Sequence, residues 1–280
     1  MSRFFWRRFV NGLFVVLCGA ATLVALTGLA LILWSLTTQG IGGISLHLFT
    51  MDQPSPGMPG GLRNAITGSI VMCLMAMVIA VIVGVMAGTW LAEYGGKTRY
   101  GYVVRFMNDV LLSAPSILVG LFVYELLVRN TLHHFSGIAG AVALAILAVP
   151  VVTRTTEDIL LLQPSALREA GMALGATRAF VTRRIVWRAA RAGLLTAALL
   201  GFARISGETA PLLFTSLGNN FFSLDVTQPM GSLPTTIFQF ALSAYDDWRQ
   251  LGWAGALLIA AAVLLINIVG RVLAREKTRA

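Results

Sequence analysis

Charge is what this 280-residue chain has least of. Asp, Glu, Lys and Arg make up only 12% of it, while 57% is hydrophobic. A water-soluble domain carries roughly a quarter of its residues as charges. The deficit excludes a soluble globular protein and makes lipid the solvent for most of the chain. Cysteine is nearly absent. Cys18 and Cys73 each fall inside an apolar run, so there is neither a disulfide framework nor a metal spacing, and both read as small packing residues. The three histidines, His47, His133 and His134, all lie between apolar runs. They give no zinc-helix motif and no Ser–His pair at membrane depth, which argues against a membrane enzyme. The alternating ten-residue pattern of a lipid-facing barrel is missing, as are internal repeats and low-complexity tracts. GGKT at 95–98 imitates the end of a phosphate-cradling loop, but Leu91 stands where the first glycine belongs and no strand precedes it. It reads as a basic turn closing a membrane helix, so the chain hydrolyses no nucleotide itself.

What is present is a set of six long apolar runs, at approximately 12–36, 66–92, 110–128, 137–153, 193–217 and 251–270. About 20 apolar residues cross a hydrocarbon core of about 30 Å, and helices satisfy their own backbone there. The expectation is an all-α integral membrane protein with six transmembrane helices. Seventeen of the 21 Lys and Arg fall on one side of this arrangement: before run one, after run two, between runs four and five, and after run six. Arg63, Arg129 and Arg249 fall on the other. The positive-inside rule then places both termini in the cytoplasm. The net charge of +9 is this bias, and no nucleic-acid partner is needed to explain it. The first run exceeds a signal-peptide core and lacks a clear small-residue cleavage site, so it reads as a retained helix. MDQPSPGMPGG at 51–61 cannot continue a helix. It marks the first helix as a peripheral addition to the other five. On the same side, SLPTTIFQFAL within 218–250 reads as a short interfacial helix.

Two stretches carry functional information. The inward segment 154–192 contains LREAGMALGATRAFVTRRIVWRAA from Leu167, which predicts two short helices broken at Gly175. Ala170, Ala173 and Leu174 share one small, apolar face of the first. Such a helix docks in a groove of a cytoplasmic partner. Alternatively the segment is an amphipathic linker on the lipid surface, held by Arg178, Arg183, Arg184, Arg188 and Arg191. The other stretch, LLGFARISGETAPLLF at 199–214, puts Arg204 about 16 Å into the fifth helix, near the bilayer midplane. An arginine there costs about 2.5–3.5 kcal/mol on insertion scales, so it must face protein or water. Glu208, four residues on, shares its face. Three readings compete: a structural ion pair, a translocation path where Arg204, Glu208 and Thr209 meet a tetrahedral oxyanion, and a proton relay. Pro211 cannot donate to the carbonyl of Gly207, so a kink and with it a gate are expected there. Pro115 and Pro150 are candidates for similar kinks or for simple packing.

The pattern E-A-x-x-x-x-G at 169–175, with Ile185 ten residues further on, resembles the EAA loop of ABC importer permeases. In that family the loop is the coupling helix touching the ATP-hydrolysing subunit, a role the resemblance gives to Glu169, Ala170, Gly171, Gly175 and Ala176. Gly171 stands where the family usually has a second alanine, and Arg188 where it usually has proline. The glycine is expected to loosen the helix by about 0.5–1 kcal/mol. Four longer blocks, NDVLLSAPSILVGLFVY (108–124), VPVVTRTTEDILLLQP (149–164), ARISGETAPLLFT (203–215) and LPTTIFQFALS (233–243), resemble the phosphate-specific branch of these permeases.

The resemblance implies a type I importer core that moves inorganic phosphate across a bacterial inner membrane. It also implies Arg204 and Glu208 as the family's intramembrane R-x-x-x-E. No cofactor is bound by this chain; ATP and Mg belong to cytoplasmic ATPase subunits. The implied partners are a homologous permease subunit in a heterodimer, a periplasmic phosphate-binding protein docking on loops 37–65 and 218–250, and membrane lipid. The division that follows is 1–36 for the tail and first helix, 37–65 for the first outer loop, 66–273 for the permease domain and 274–280 for a basic tail. The alternatives are a permease for sulfate or molybdate, or an ATP-independent anion transporter.

Overall fold

A computed structural model describes residues 2–276; Lys277 and Arg279 of the expected basic tail lie outside them. The described residues are helical or loop. In chain order the helices are α1 (Ser2–Ile41), α2 (Leu46–Thr50), α3 (Arg63–Trp90), α4 (Arg99–Ser113), α5 (Ser116–Val123), α6 (Gly137–Leu161), α7 (Ser165–Ala173), α8 (Arg178–Val181), α9 (Trp187–Ala189), α10 (Arg191–Ser206), α11 (Ala210–Thr215), α12 (Leu233–Ala241) and α13 (Asp246–Glu276). Wider π-helical turns extend α3 over Leu91–Gly95 and α5 over Tyr124–Leu132, and a third, Thr182–Val186, joins α8 to α9. Among the described residues four helices are long and apolar enough to cross a membrane. Two bent pairs make six if each counts as one span.

The first bend corrects the reading of run three as a single helix, whereas run five, 193–217, is interrupted at Gly207–Thr209. Helix Arg99–Ser113 meets Ser116–Leu132 at 103°. Pro115 is the cause: it excludes the helical region for the residue before it, and Ala114 is extended at φ −66°, ψ 134°. Pro115 therefore turns the chain outright, where only a kink was expected. The second bend, 76° between Arg178–Ala189 and Arg191–Ser206, falls at Ala190. Pro150, by contrast, sits inside an unbroken α6, and the Asn108 amide donates to its carbonyl at 3.2 Å. GGKT is the expected turn, with Thr98 capping α4 through the Gly101 amide.

The centre of the fold is the contact between α3 and α6. Along α3, Ala76, Ala80, Gly84 and Gly88 recur every four residues and are all buried, so they form one smooth stripe. Helices in lipid gain little from apolarity itself and associate where small residues let backbones approach. At Gly88 the approach is so close that an added Cβ would lie 2.5 Å from the Thr153 carbonyl oxygen. α1 stands apart. It meets α13 near its C-terminal end, where Gly40 lies against Leu257 and Trp253, while Phe4 to Trp34 is exposed almost throughout. Cys18 is exposed with it, so only Cys73 is the packing residue expected of both.

At the other surface the loops are tied together. Asp52 accepts from Arg63 Nε at 2.9 Å and from the Phe222 amide at 3.0 Å, and the Arg63 guanidinium lies over the Phe222 ring. The Arg63 hydrogen bond, aided by the Phe222 amide, holds the Asp52 carboxyl below the usual carboxylate range despite partial burial. The Asn64 amide donates to the Asn219 carbonyl and the Leu233 amide to Ser69 Oγ. Loops 37–65 and 218–250 thus form one joined surface around the N-terminal end of α3, and α12 is the short helix expected in the second.

Candidate translocation site and coupling surface

α10 carries Arg204 about 20 Å from its start at Arg191. Between Arg191 and Glu208 it is the sole charged residue. Ala197, Gly201 and Ile205 form the buried side of α10, and Gly201 lets the helix close onto Val152 of α6. Arg204 occupies another face and is 46% exposed, while Glu208 is 12% exposed; Nη1 and Oε1 are 3.0 Å apart. The expected pair forms. Among the described residues Arg204 has no second ion-pair partner, and at 46% exposure its planar donor fork is accessible. A proton relay lacks the titratable neighbours it would need along α10.

Glu208 reaches Arg204 from beyond the helix, because α10 ends at Ser206. Gly207, Glu208 and Thr209 form an unwound break before α11. The kink expected at Pro211 is therefore a complete interruption placed before it. Pro211 sits in the first turn of α11, where its missing N–H has no partner to lose. It is buried, and Gly120 of α5 lies so close that an added Cβ would be 2.6 Å from the Pro211 Cα. Pro211 is thus a fixed packing point. Gly207 has φ −107° and open space at its Cβ position, so nothing there requires glycine. Thr209 is half-buried beside the break, and its carbonyl accepts from Leu212 and Leu213.

After α6, segment 154–192 has the two expected short helices, α7 and α8. Gly175 between them has φ +80°, a left-handed conformation that glycine adopts without strain. Glu169, Ala170, Ala173 and Leu174 are exposed, Leu174 at 89%. The flat apolar face therefore points away from the chain. Ala176, partly buried, packs beside Val181 and Ile185. Gly171 has a packing role that the sequence does not show. It is buried, and an added Cβ would lie 2.8 Å from Val181 Cγ2 and 2.9 Å from Ile185 Cδ1. The glycine sets how closely α7 folds back on the next segment. Gly171→Leu should overpack this contact, costing about 1–3 kcal/mol. The expected result is a melting temperature in detergent lowered by roughly 2–10 °C.

Residues 80–279 match the family model for the inner membrane component of binding-protein-dependent transport systems. The chain belongs to this family. Over nearly its whole length the permease is similar to phosphate transport system permease proteins PstA. That of Yersinia pestis is 52% identical over 273 residues, covering 97% of this chain and 92% of the relative. That of Haemophilus influenzae is 49% identical, covering 98% and 97%. A probable PstA of Methanocaldococcus jannaschii is 32% identical, covering 94% and 92%. In fold the permease resembles a chain of the inward-facing MetNI methionine ABC transporter, with TM-score 0.65 and 20% identity over 77% of this chain and 95% of that one. The chain is therefore a multi-pass inner-membrane component that works with a separate ATPase and a binding protein.

Sequence reasoning missed two acidic groups of this permease. Glu93, in the turn that extends α3, and Glu157, near the C-terminal end of α6, are buried. Glu93 pairs with Arg168 at 2.7 Å and Glu157 with Arg105 at 2.6 Å. The available signal was scarcity. With only 12 acidic residues in the chain, one at the end of an apolar run is conspicuous. Glu125, by contrast, pairs with Arg129 at 3.0 Å on an exposed turn, an interaction of about 0.2–1 kcal/mol at most.

Proposed function

We propose that this permease carries inorganic phosphate into the cytoplasm, and that Arg204 and Glu208 line the path with Thr209 beside them. The observation carrying this is the half-exposed guanidinium of Arg204 at membrane depth, on a face the chain leaves open. Lipid cannot cover such a group cheaply. Water or another protein surface must meet it, and a second, homologous permease subunit supplies that surface in a heterodimer. A planar donor fork suits a tetrahedral oxyanion, and Glu208 keeps the arginine oriented and prevents the anion from binding too firmly to leave. The names of the phosphate transport relatives support phosphate as that anion.

ATP-driven closure of the ATPase subunits moves the coupling surface at Glu169, Ala170, Gly171, Gly175 and Ala176, and the membrane helices reorient around Arg204. The division into a peripheral first helix, a permease domain at 66–273 and its loops is part of this reading. So is the orientation with both termini inside. The bias of Lys and Arg, seventeen of 21 on that side, supports it. The joined outer surface around Asp52 and Phe222 is the dock for a phosphate-binding protein. Uptake of radiolabelled phosphate by cells lacking only this chain tests the assignment. Restoration by the wild-type chain, undiminished by excess sulfate or molybdate, is expected. Restored sulfate or molybdate uptake without phosphate uptake would replace phosphate with that oxyanion.

A further inference from the structure

The coupling surface is exposed on one side, so its effect on the membrane depends on what holds its other side. That grip is unusually concentrated. Arg168, in the first half of α7, donates from Nε and Nη2 to Glu93 Oε1 at 2.9 and 2.7 Å, and from Nε to Oε2 at 3.2 Å. Its Nη1 and Nη2 also reach the carbonyls of Gln163 and Leu160, at 2.8 and 2.7 Å, where α6 ends. Glu93 lies in the π-helical turn that extends α3, and its side chain is only 2% exposed. From α8, Arg178 donates to the backbone carbonyl of the same Glu93 and stacks over the Tyr94 ring. From α4, Arg105 binds the Gly96 and Leu91 carbonyls at 2.8 and 3.2 Å while pairing with Glu157 of α6. Three arginines from three helices thus hold one turn.

We infer that the Glu93–Arg168 ion pair is the strut through which movement of α7 is delivered to the joined body of α3 and α6. A buried carboxylate held by two donors of one arginine resists displacement far better than apolar contact does, since separating them strands a charge away from water. The α3–α6 seam, closed by Gly84 and Gly88, makes the two helices move together. α10, which carries Arg204, receives the movement differently: it is divided from α8 and α9 by the 76° bend at Ala190. Displacement of α7 therefore drives α3 and α6 directly, and α10 only through its packing on α6 at Gly193 and Gly201. This inference rests on the coupling role proposed for α7.

The test uses the assembled transporter with its ATPase and binding protein in liposomes, measuring ATP hydrolysed and phosphate accumulated together. Glu93→Gln and Arg168→Gln are expected to keep the ATPase subunit bound and hydrolysing while ATP spent per phosphate rises by about tenfold. Arg168→Lys, which keeps the charge but not the fork, should fall between them and wild type. An unchanged ratio in Glu93→Gln overturns the strut. A second measurement does not depend on variants at the pair. Spin labels at Lys97→Cys and Met172→Cys, in a chain with Cys18 and Cys73 replaced by serine, report the distance across the junction. A change below about 2 Å between nucleotide-free and ATP-trapped states fits a rigid strut, and a larger one sinks it. The distance is independent of the transported anion, so failure of the phosphate assignment would leave this result standing.

Discussion

Arg204→Ala is expected to reduce phosphate uptake by roughly a hundredfold, with the protein still inserted at near wild-type amounts. The size follows from what the guanidinium offers: two charge-assisted hydrogen bonds to an oxyanion, each worth about 1.5–3 kcal/mol. Arg204 is 46% exposed but Glu208 only 12%, so Glu208→Gln added to Arg204→Ala removes the carboxylate that would otherwise be left without its partner and controls for insertion. Arg204→Lys separates charge from shape. A lysine keeps the positive field but loses the planar fork, so uptake should recover only in part. Radiolabelled uptake, normalised to membrane-inserted protein, measures both. Full uptake from the alanine variant would make the pair dispensable scaffolding and remove the basis for the proposed path.

Gly88→Val should have the largest effect on stability, about 3 kcal/mol. An added Cβ would sit 2.5 Å from the Thr153 carbonyl oxygen and 2.7 Å from the Thr156 Cβ. Two of these obstacles are backbone or backbone-proximal atoms on a long helix, so neither can rotate away. α3 and α6 would have to separate along their length, opening the seam that carries the core. The expected readout is a strongly lowered melting temperature, or no monodisperse protein, in detergent. Gly207→Ala provides the contrast, since its added Cβ meets nothing within 4 Å and its melting should stay unchanged. Equal melting of wild type and Gly88→Val would mean the seam does not hold the fold.

The two predictions differ in how readily the sequence discloses their basis. Arg204 is conspicuous by its solitude in an apolar run, and composition alone raises the question of its function. Gly88 belongs to the repeat Ala76, Ala80, Gly84 and Gly88, which is visible in the sequence as small residues at helical spacing. What it packs against is not visible there. Glu93 was legible only as a rare acid at a helix end; Arg168, Arg178 and Arg105 come from 75, 85 and 12 positions further along the chain.

Local sequence is enough to read a helical membrane protein, the place of its apolar runs, a segment of two short helices broken at Gly175, and a pairing of Arg204 with Glu208. Each follows from local chemistry: hydropathy summed over a run, a glycine free to turn left-handed, and two opposite charges four residues apart. The tertiary structure alone decided that Pro115 turns the chain through 103°, that the break lies at Gly207–Thr209 with Pro211 fixed against Gly120, and that three arginines close on the end of α3. Hydropathy cannot register these. It adds residues without regard to direction, whereas a turn, a buried carboxylate's partner and a close backbone contact are set by which helices meet.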